Sequence, residues 1–74
     1  MKFITWLNKY KGTETPQADL LADIERDESF PKTNSKNKIL NHLSFKNACS
    51  DCIRTFIISW HEYKSDLELE KMND

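Results

Sequence analysis

The chain has 74 residues, which is enough for one small domain. Its 11 basic and 12 acidic residues give a formal net charge of −1, which excludes a polybasic arm or an acidic tail as the whole of the protein. Valine is absent and glycine occurs once, and this composition argues against a sheet-rich fold with tight hairpins.

The sequence indicates neither a signal peptide nor a membrane span. The first eight residues contain no apolar run long enough for a signal peptide, and apolar runs such as Phe56–Ile58 are far too short to cross a bilayer. The two cysteines, Cys49 and Cys52, are too close together to close a long disulfide loop. We therefore expect a protein of the reducing cytoplasm that does not contact the membrane.

The first half of the chain predicts two helices. In the first, the apolar residues stand at i, i+3, i+4 and i+7: Phe3, Trp6, Leu7 and Tyr10. Gly12 follows, where a left-handed C-terminal cap is expected. The second begins with Thr15 as N-cap and Pro16 at the first helical position. It ends before Pro31, because proline disfavours helical geometry at the residue before it.

The second half predicts a short helix and a long one. The short helix directs Ile39, Leu40 and Leu43 inward, behind an N-cap among residues 33–35. The long helix carries an apolar stripe formed by Cys49, Cys52, Ile53, Phe56, Trp60, Tyr63 and Leu67. We expect residues 68–74 to be a frayed tail. The domain is therefore predicted over residues 1–67.

Four amphipathic segments with short connections predict an all-α fold, a small single-domain bundle of about four helices. The aromatic residues expected in or near its core are Trp6, Tyr10, Phe30, Phe56 and Trp60.

The order of the aromatic and proline motifs resembles the YozE-like family, small proteins found mainly in Gram-positive bacteria. The motifs are Phe3-x-x-Trp6-Leu7-x-x-Tyr10, Asp27-x-x-Phe30-Pro31-Lys32, Ile39 to Leu43, and Phe56-x-x-x-Trp60-x-x-Tyr63. The resemblance covers Phe3 to about Asp66, and Phe-Pro-Lys is its most specific element. It implies a fold similar to sterile alpha motif (SAM) domains. It supplies no activity and no catalytic or binding residues, because the family is uncharacterised.

The chain departs from this family pattern at two places. Ile57 and Ile58 stand where acidic residues are more usual, and Cys49-x-x-Cys52 is not part of the pattern. The cysteine pair has three interpretations, namely a redox pair, half of a metal site or two small apolar core residues. We favour the core interpretation, because both thiols lie on the apolar stripe. A zinc site would need His42 and His61 to complete it, and His61 lies well past the cysteines on the helix.

A lysine-rich stretch could bind nucleic acid. Residues 29–47 contain Lys32, Lys36, Lys38 and Lys46 and no acid, whereas residues 14–28 contain six acids and one arginine. The side of the fold that carries these lysines could bind the phosphates of a nucleic-acid backbone. Aromatic residues that could stack on bases are few, since only Phe30 and Phe45 are nearby and both are candidates for the core. The simpler interpretation is that these lysines form an ordinary solvated surface.

No enzyme is predicted. No nucleophile, base and orienting residue stand at a spacing typical of a catalytic triad, and one glycine cannot form a phosphate loop. We expect no cofactor and no metal. The function that we rank first is a small non-catalytic protein–protein interaction module, with nucleic-acid binding as the alternative. The candidate contacts are Lys32, Lys36, Lys38, Lys46, Ile57 and Ile58.

Overall fold

The computed structural model describes residues 1–46 and 49–72, and within these ranges the chain forms helices and no strand. Helix α1 spans Phe3–Leu7 and continues into a 3₁₀ turn at Asn8–Tyr10. Helix α2 spans Pro16–Arg26, α3 spans Lys36–Phe45 and α4 spans Ser50–Met72. The prediction of a small all-α fold with four helices is confirmed.

The helix ends follow local chemistry. The Thr15 hydroxyl accepts a hydrogen bond from the Ala18 N–H at 3.2 Å, and Pro16 is the first residue of α2. The Ser35 hydroxyl accepts one from the Lys38 N–H at 3.4 Å and caps α3. Gly12 has a φ of +80°, the left-handed conformation expected after the first helix. The Thr15 and Ser35 hydroxyls thus satisfy backbone N–H groups that a helix leaves unpaired at its start.

Phe3 lies at the centre of the core and is completely buried. Its ring centroid lies 5.5 Å from that of Phe56, 5.1 Å from Trp60 and 5.5 Å from Tyr63, all on α4. The core is completed by Trp6 and Leu7 of α1, Leu20, Leu21 and Ile24 of α2, and Ile39 and Leu43 of α3. The short first helix is therefore anchored by aromatic packing against the last one.

The predicted core aromatics are present but unequally buried. Trp6 and Phe56 are buried, whereas Tyr10, Phe30 and Trp60 are partly buried and pack against the core. Phe45 is 80% exposed, so its predicted core position is wrong. It is the last residue of α3 and lies beyond Leu43, the last residue of that helix to be buried.

Helix α4 is longer than its apolar stripe. The predicted boundary at residue 67 differs from the structure, in which the helix continues to Met72. The added turn contains residues with good helix propensity, and Lys71 lies in the last turn, where a cation complements the helix dipole. The rest of the predicted tail, residues 73–74, lies outside the described residues. None of the helices within the described ranges is long and apolar enough to cross a membrane.

Candidate functional site

A pocket of about 440 Å³ opens beside the Phe30-Pro31-Lys32 segment, between the start of α1 and the loop from α2 to α3. Its apolar side chains are Ile4, Ile24, Phe30 and Pro31. Its polar side chains are Lys2, Thr5, Lys32, Thr33 and Asn34. We call this site the lysine pocket, because it is lined by two cations and by no carboxylate of the described residues.

Asn34 fixes one wall of the lysine pocket. Its Oδ1 accepts a hydrogen bond from the Phe3 N–H at 2.8 Å, and its Nδ2 donates to the Tyr63 hydroxyl at 3.0 Å. The Tyr63 hydroxyl in turn donates to the Met1 carbonyl. The loop is thereby tied to both α1 and α4, because Oδ1 and Nδ2 of Asn34 each make one structural hydrogen bond.

Asp27 fixes the turn that leads into Phe30. Its Oδ1 accepts from the Ser29 N–H at 3.0 Å and from the Ser29 hydroxyl at 2.7 Å, and its Oδ2 lies 2.7 Å from His42 Nε2. The hydrogen bonds from Ser29 and then from His42 lower the pKa of the Asp27 carboxyl to about 2. The Phe30 ring packs edge-on against His42 at 5.4 Å. The backbone that positions Pro31 and Lys32 is therefore held by a polar cluster and an aromatic contact.

The four predicted lysines reach the surface in different places. Lys32 lines the lysine pocket, and Lys46 Nζ lies 3.9 Å from an oxygen of Asp27. Lys36 and Lys38 lie two positions apart on α3, which separates them by about 200° around the helix. Lys36 is half-buried and Lys38 is exposed. The fold does not gather these lysines into one stripe.

The two isoleucines of α4 have different environments. Ile57 is partly buried and packs against the core, whereas Ile58 is 48% exposed. Of this pair, Ile58 is therefore the better placed for contact with a partner. Both remain sequence-based candidates.

The cysteine pair lies at the start of α4. Cys49 is exposed, so its predicted place on the core stripe is wrong, whereas Cys52 is partly buried and packs against the core. Both are free thiols. Burial, followed by the nearby charges of Asp23 and Cys49, raises the pKa of the Cys52 thiol, which disfavours a reactive thiolate. Within the described ranges, no three His, Cys, Asp or Glu side chains come together in a way that could hold a metal ion.

A second groove of about 420 Å³ lies beside α1 and is lined by Met1, Thr5, Trp6, Lys9, Asp66, Leu69 and Glu70. The Trp6 indole N–H donates to Asp66 Oδ2 at 2.6 Å. Lys9 Nζ lies 3.2 Å from the same oxygen and 4.3 Å from the Trp6 ring centroid. The Trp6 hydrogen bond, with a smaller effect of Lys9, lowers the pKa of the Asp66 carboxyl. These contacts tie the end of α4 to α1.

Sequence reasoning missed Lys2 as part of the site. An isolated lysine next to Phe3 has no pattern that would single it out, and only the fold brings it to Lys32. Asn34 has a structural role, because its side chain is hydrogen-bonded to the Phe3 N–H and to the Tyr63 hydroxyl.

Comparison with known proteins identifies the family. No curated protein and no solved structure matches the chain significantly. The family model described as the YozE SAM-like fold matches residues 3–65, which is most of the chain and includes the Phe-Pro-Lys segment. The chain therefore belongs to the YozE SAM-like fold family.

Proposed function

We propose that this protein is a small non-catalytic module that binds another protein through a surface centred on the lysine pocket. The observation that carries the proposal is the composition of that pocket, an apolar floor bordered by Lys2 and Lys32. Protein interfaces combine an apolar centre with a polar rim, and the pocket offers both within one concave surface.

The pocket is built on fixed segments of the chain. Asn34 binds the loop to α1 and α4, and Asp27 holds the turn before Phe30. A partner would therefore meet a preorganised surface and would not bear the entropic cost of ordering the loop. Ile58 adds an exposed apolar contact on α4.

Nucleic-acid binding is the alternative, and the placement of the lysines favours it less. Affinity for a phosphate backbone grows with the number of cations that can reach it together. Lys46 is close to Asp27, and Lys36 and Lys38 project about 200° apart on α3. Lys36 and Lys38 therefore do not both lie on the side of Lys32, and the charge of Lys46 is offset by Asp27.

Site-specific photo-crosslinking tests the proposal. Lys32 is replaced by benzoylphenylalanine in the native host, and Glu14, an exposed residue that does not line the lysine pocket, is replaced in a control. We expect a discrete protein adduct from position 32 that is absent from position 14 and resists nuclease. No adduct, or the same adducts at both positions, would contradict the proposal.

Amide NMR tests the alternative separately. Mixed-sequence single-stranded and duplex oligonucleotides are added to isotope-labelled protein, first at low salt and then at raised salt. We expect no saturable shifts between Ser29 and Lys46. Saturable shifts there that weaken steeply with salt would establish nucleic-acid binding instead.

A further inference from the structure

We propose that the partner in the lysine pocket is a second copy of this chain, which inserts the exposed Glu68-Leu69-Glu70 segment near the end of its α4. This inference rests on the protein-binding function proposed above and names the partner of the same site. It predicts a dimer in which each copy supplies both a pocket and a helix end.

Charge complementarity supports this partner. Lys2 and Lys32 are exposed, line the same pocket and form no ion pair with any side chain in residues 1–46 or 49–71. Glu68 and Glu70 are also exposed and likewise have no ion-pair partner in that part of the chain. The fold therefore presents two cations at one place and two anions at another, and none of these four groups forms an ion pair among the described residues.

The helical geometry of the segment matches the pocket. Leu69 is 57% exposed, although it is a large apolar side chain. Glu68 and Glu70 project about 100° to either side of it on α4. When Leu69 enters the floor formed by the apolar pocket residues, the carboxylates of Glu68 and Glu70 lie on either side of it and meet the two lysines that line the same pocket. One insertion thus buries the leucine and pairs both charges.

The two features lie close enough together for a closed dimer. The lysine pocket and the groove that contains Leu69 and Glu70 share Thr5, so they flank the same short helix, α1. A two-fold interface requires each copy to present both halves of the contact on one surface. Because both features adjoin Thr5, a second copy placed across α1 can bring each helix end to the pocket of the other copy.

A charge exchange tests the proposal. One variant carries Lys2→Glu with Lys32→Glu, and the other carries Glu68→Lys with Glu70→Lys. Sedimentation equilibrium measures self-association of each variant and of their equimolar mixture, and circular dichroism verifies that both fold. We expect the native chain to dimerise and each variant to dissociate about tenfold or more readily, because both of its contacts become repulsive. The mixture should regain native association, since both contacts between the two variants again join opposite charges.

Lys11→Glu with Arg54→Glu is the matched control, because it changes the net charge by the same amount as the pocket variant, at exposed residues that line neither the lysine pocket nor the groove at Leu69. It should dimerise as the native chain does. A native chain that stays monomeric, a control that dissociates as readily as the pocket variant, or a mixture that fails to recover would each overturn the second-copy proposal.

The crosslinking experiment distinguishes an error in the second-copy proposal from an error in the proposed protein-binding function. If the native chain is monomeric while position 32 captures a different protein, the second-copy proposal is wrong and the binding function stands. If position 32 captures nothing and the chain is monomeric, both are wrong. A crosslinked homodimer from position 32 supports both.

Discussion

Replacing Ser59 with alanine is expected to stabilise the domain. Ser59 is completely buried on α4, and its hydroxyl has no hydrogen-bond partner among the residues that the structure describes. It lies between Phe56 and Tyr63 on the face of α4 that packs into the core. A buried hydroxyl without a partner lowers the free energy of unfolding, because folding removes its hydrogen bonds to water and does not replace them.

The expected gain in the free energy of unfolding follows from three contributions. Removing an unpaired buried hydroxyl contributes about 1–3 kcal/mol. Alanine has the higher helix propensity, which adds roughly 0.5 kcal/mol. The space left by the oxygen costs up to about 1 kcal/mol in lost packing. The net gain for Ser59→Ala is about 1.5 kcal/mol, and for a domain of this size it raises Tm by roughly 6–12 °C.

Urea denaturation followed by circular dichroism measures this gain. Ser65→Ala is the matched control, because Ser65 is exposed on the same helix and its replacement changes helix propensity alone. Ser59→Ala should exceed the control by about 1 kcal/mol, with the same m-value. A Ser59→Ala variant less stable than the native chain would refute the reasoning, since it would show that the hydroxyl makes a stabilising bond.

Three further predictions concern the core and the two ends of α2. Phe3→Ala should cost about 3–5 kcal/mol and leave the chain unfolded by circular dichroism, because a core of this size supplies a total of similar magnitude. Thr15→Ala removes the N-cap of α2 and should cost about 1 kcal/mol in thermal denaturation, with the fold retained. The third concerns Asp27, whose hydrogen bonds lower its pKa below the ordinary 3.8 to about 2, so the carboxylate stabilises the fold at higher pH. That stabilisation should be lost as the pH falls from about 4 through about 2, and Asp27→Asn should flatten this part of the stability–pH curve.

The helices could be predicted because their signals are local. Thr15 and Pro16 mark a helix start, and Ser35 lies within the cap region that the sequence indicated. Gly12 adopts the left-handed conformation that ends a helix. Each of these signals involves residues within one or two helical turns. It therefore predicts the end of a helix independently of contacts with distant parts of the chain.

The lysine pocket could not be predicted, because it depends on the packing of distant segments. Lys2 and Lys32 are 30 positions apart, and their segments are brought together by contacts between distant parts of the chain, such as the hydrogen bonds that join Asn34 to Phe3 and Tyr63. Lys36 and Lys38 seemed equivalent to Lys32 as members of a basic stretch, yet the helix directs them apart.

Residue type misled the prediction at two other positions. Ser59 is polar and was left out of the apolar stripe, although its spacing from Phe56 and Tyr63 placed it on the same face. Phe45 is apolar and was expected inside, but α3 ends there, and no described element covers it. The burial of Ser59 follows from its position on the buried face of α4. The exposure of Phe45 follows from its position at the end of α3.

The aromatic packing of Phe3 also determines when the domain can fold during synthesis. A nascent chain that has reached residue 49 has completed three helices but lacks Phe56, Trp60 and Tyr63, which surround that ring. Asp66, the hydrogen-bond acceptor for the Trp6 indole, is made later still. The core around Phe3 can therefore close only after α4 has been synthesised, and a chain that stops before Phe56 leaves the Phe3 ring without its aromatic partners on that helix.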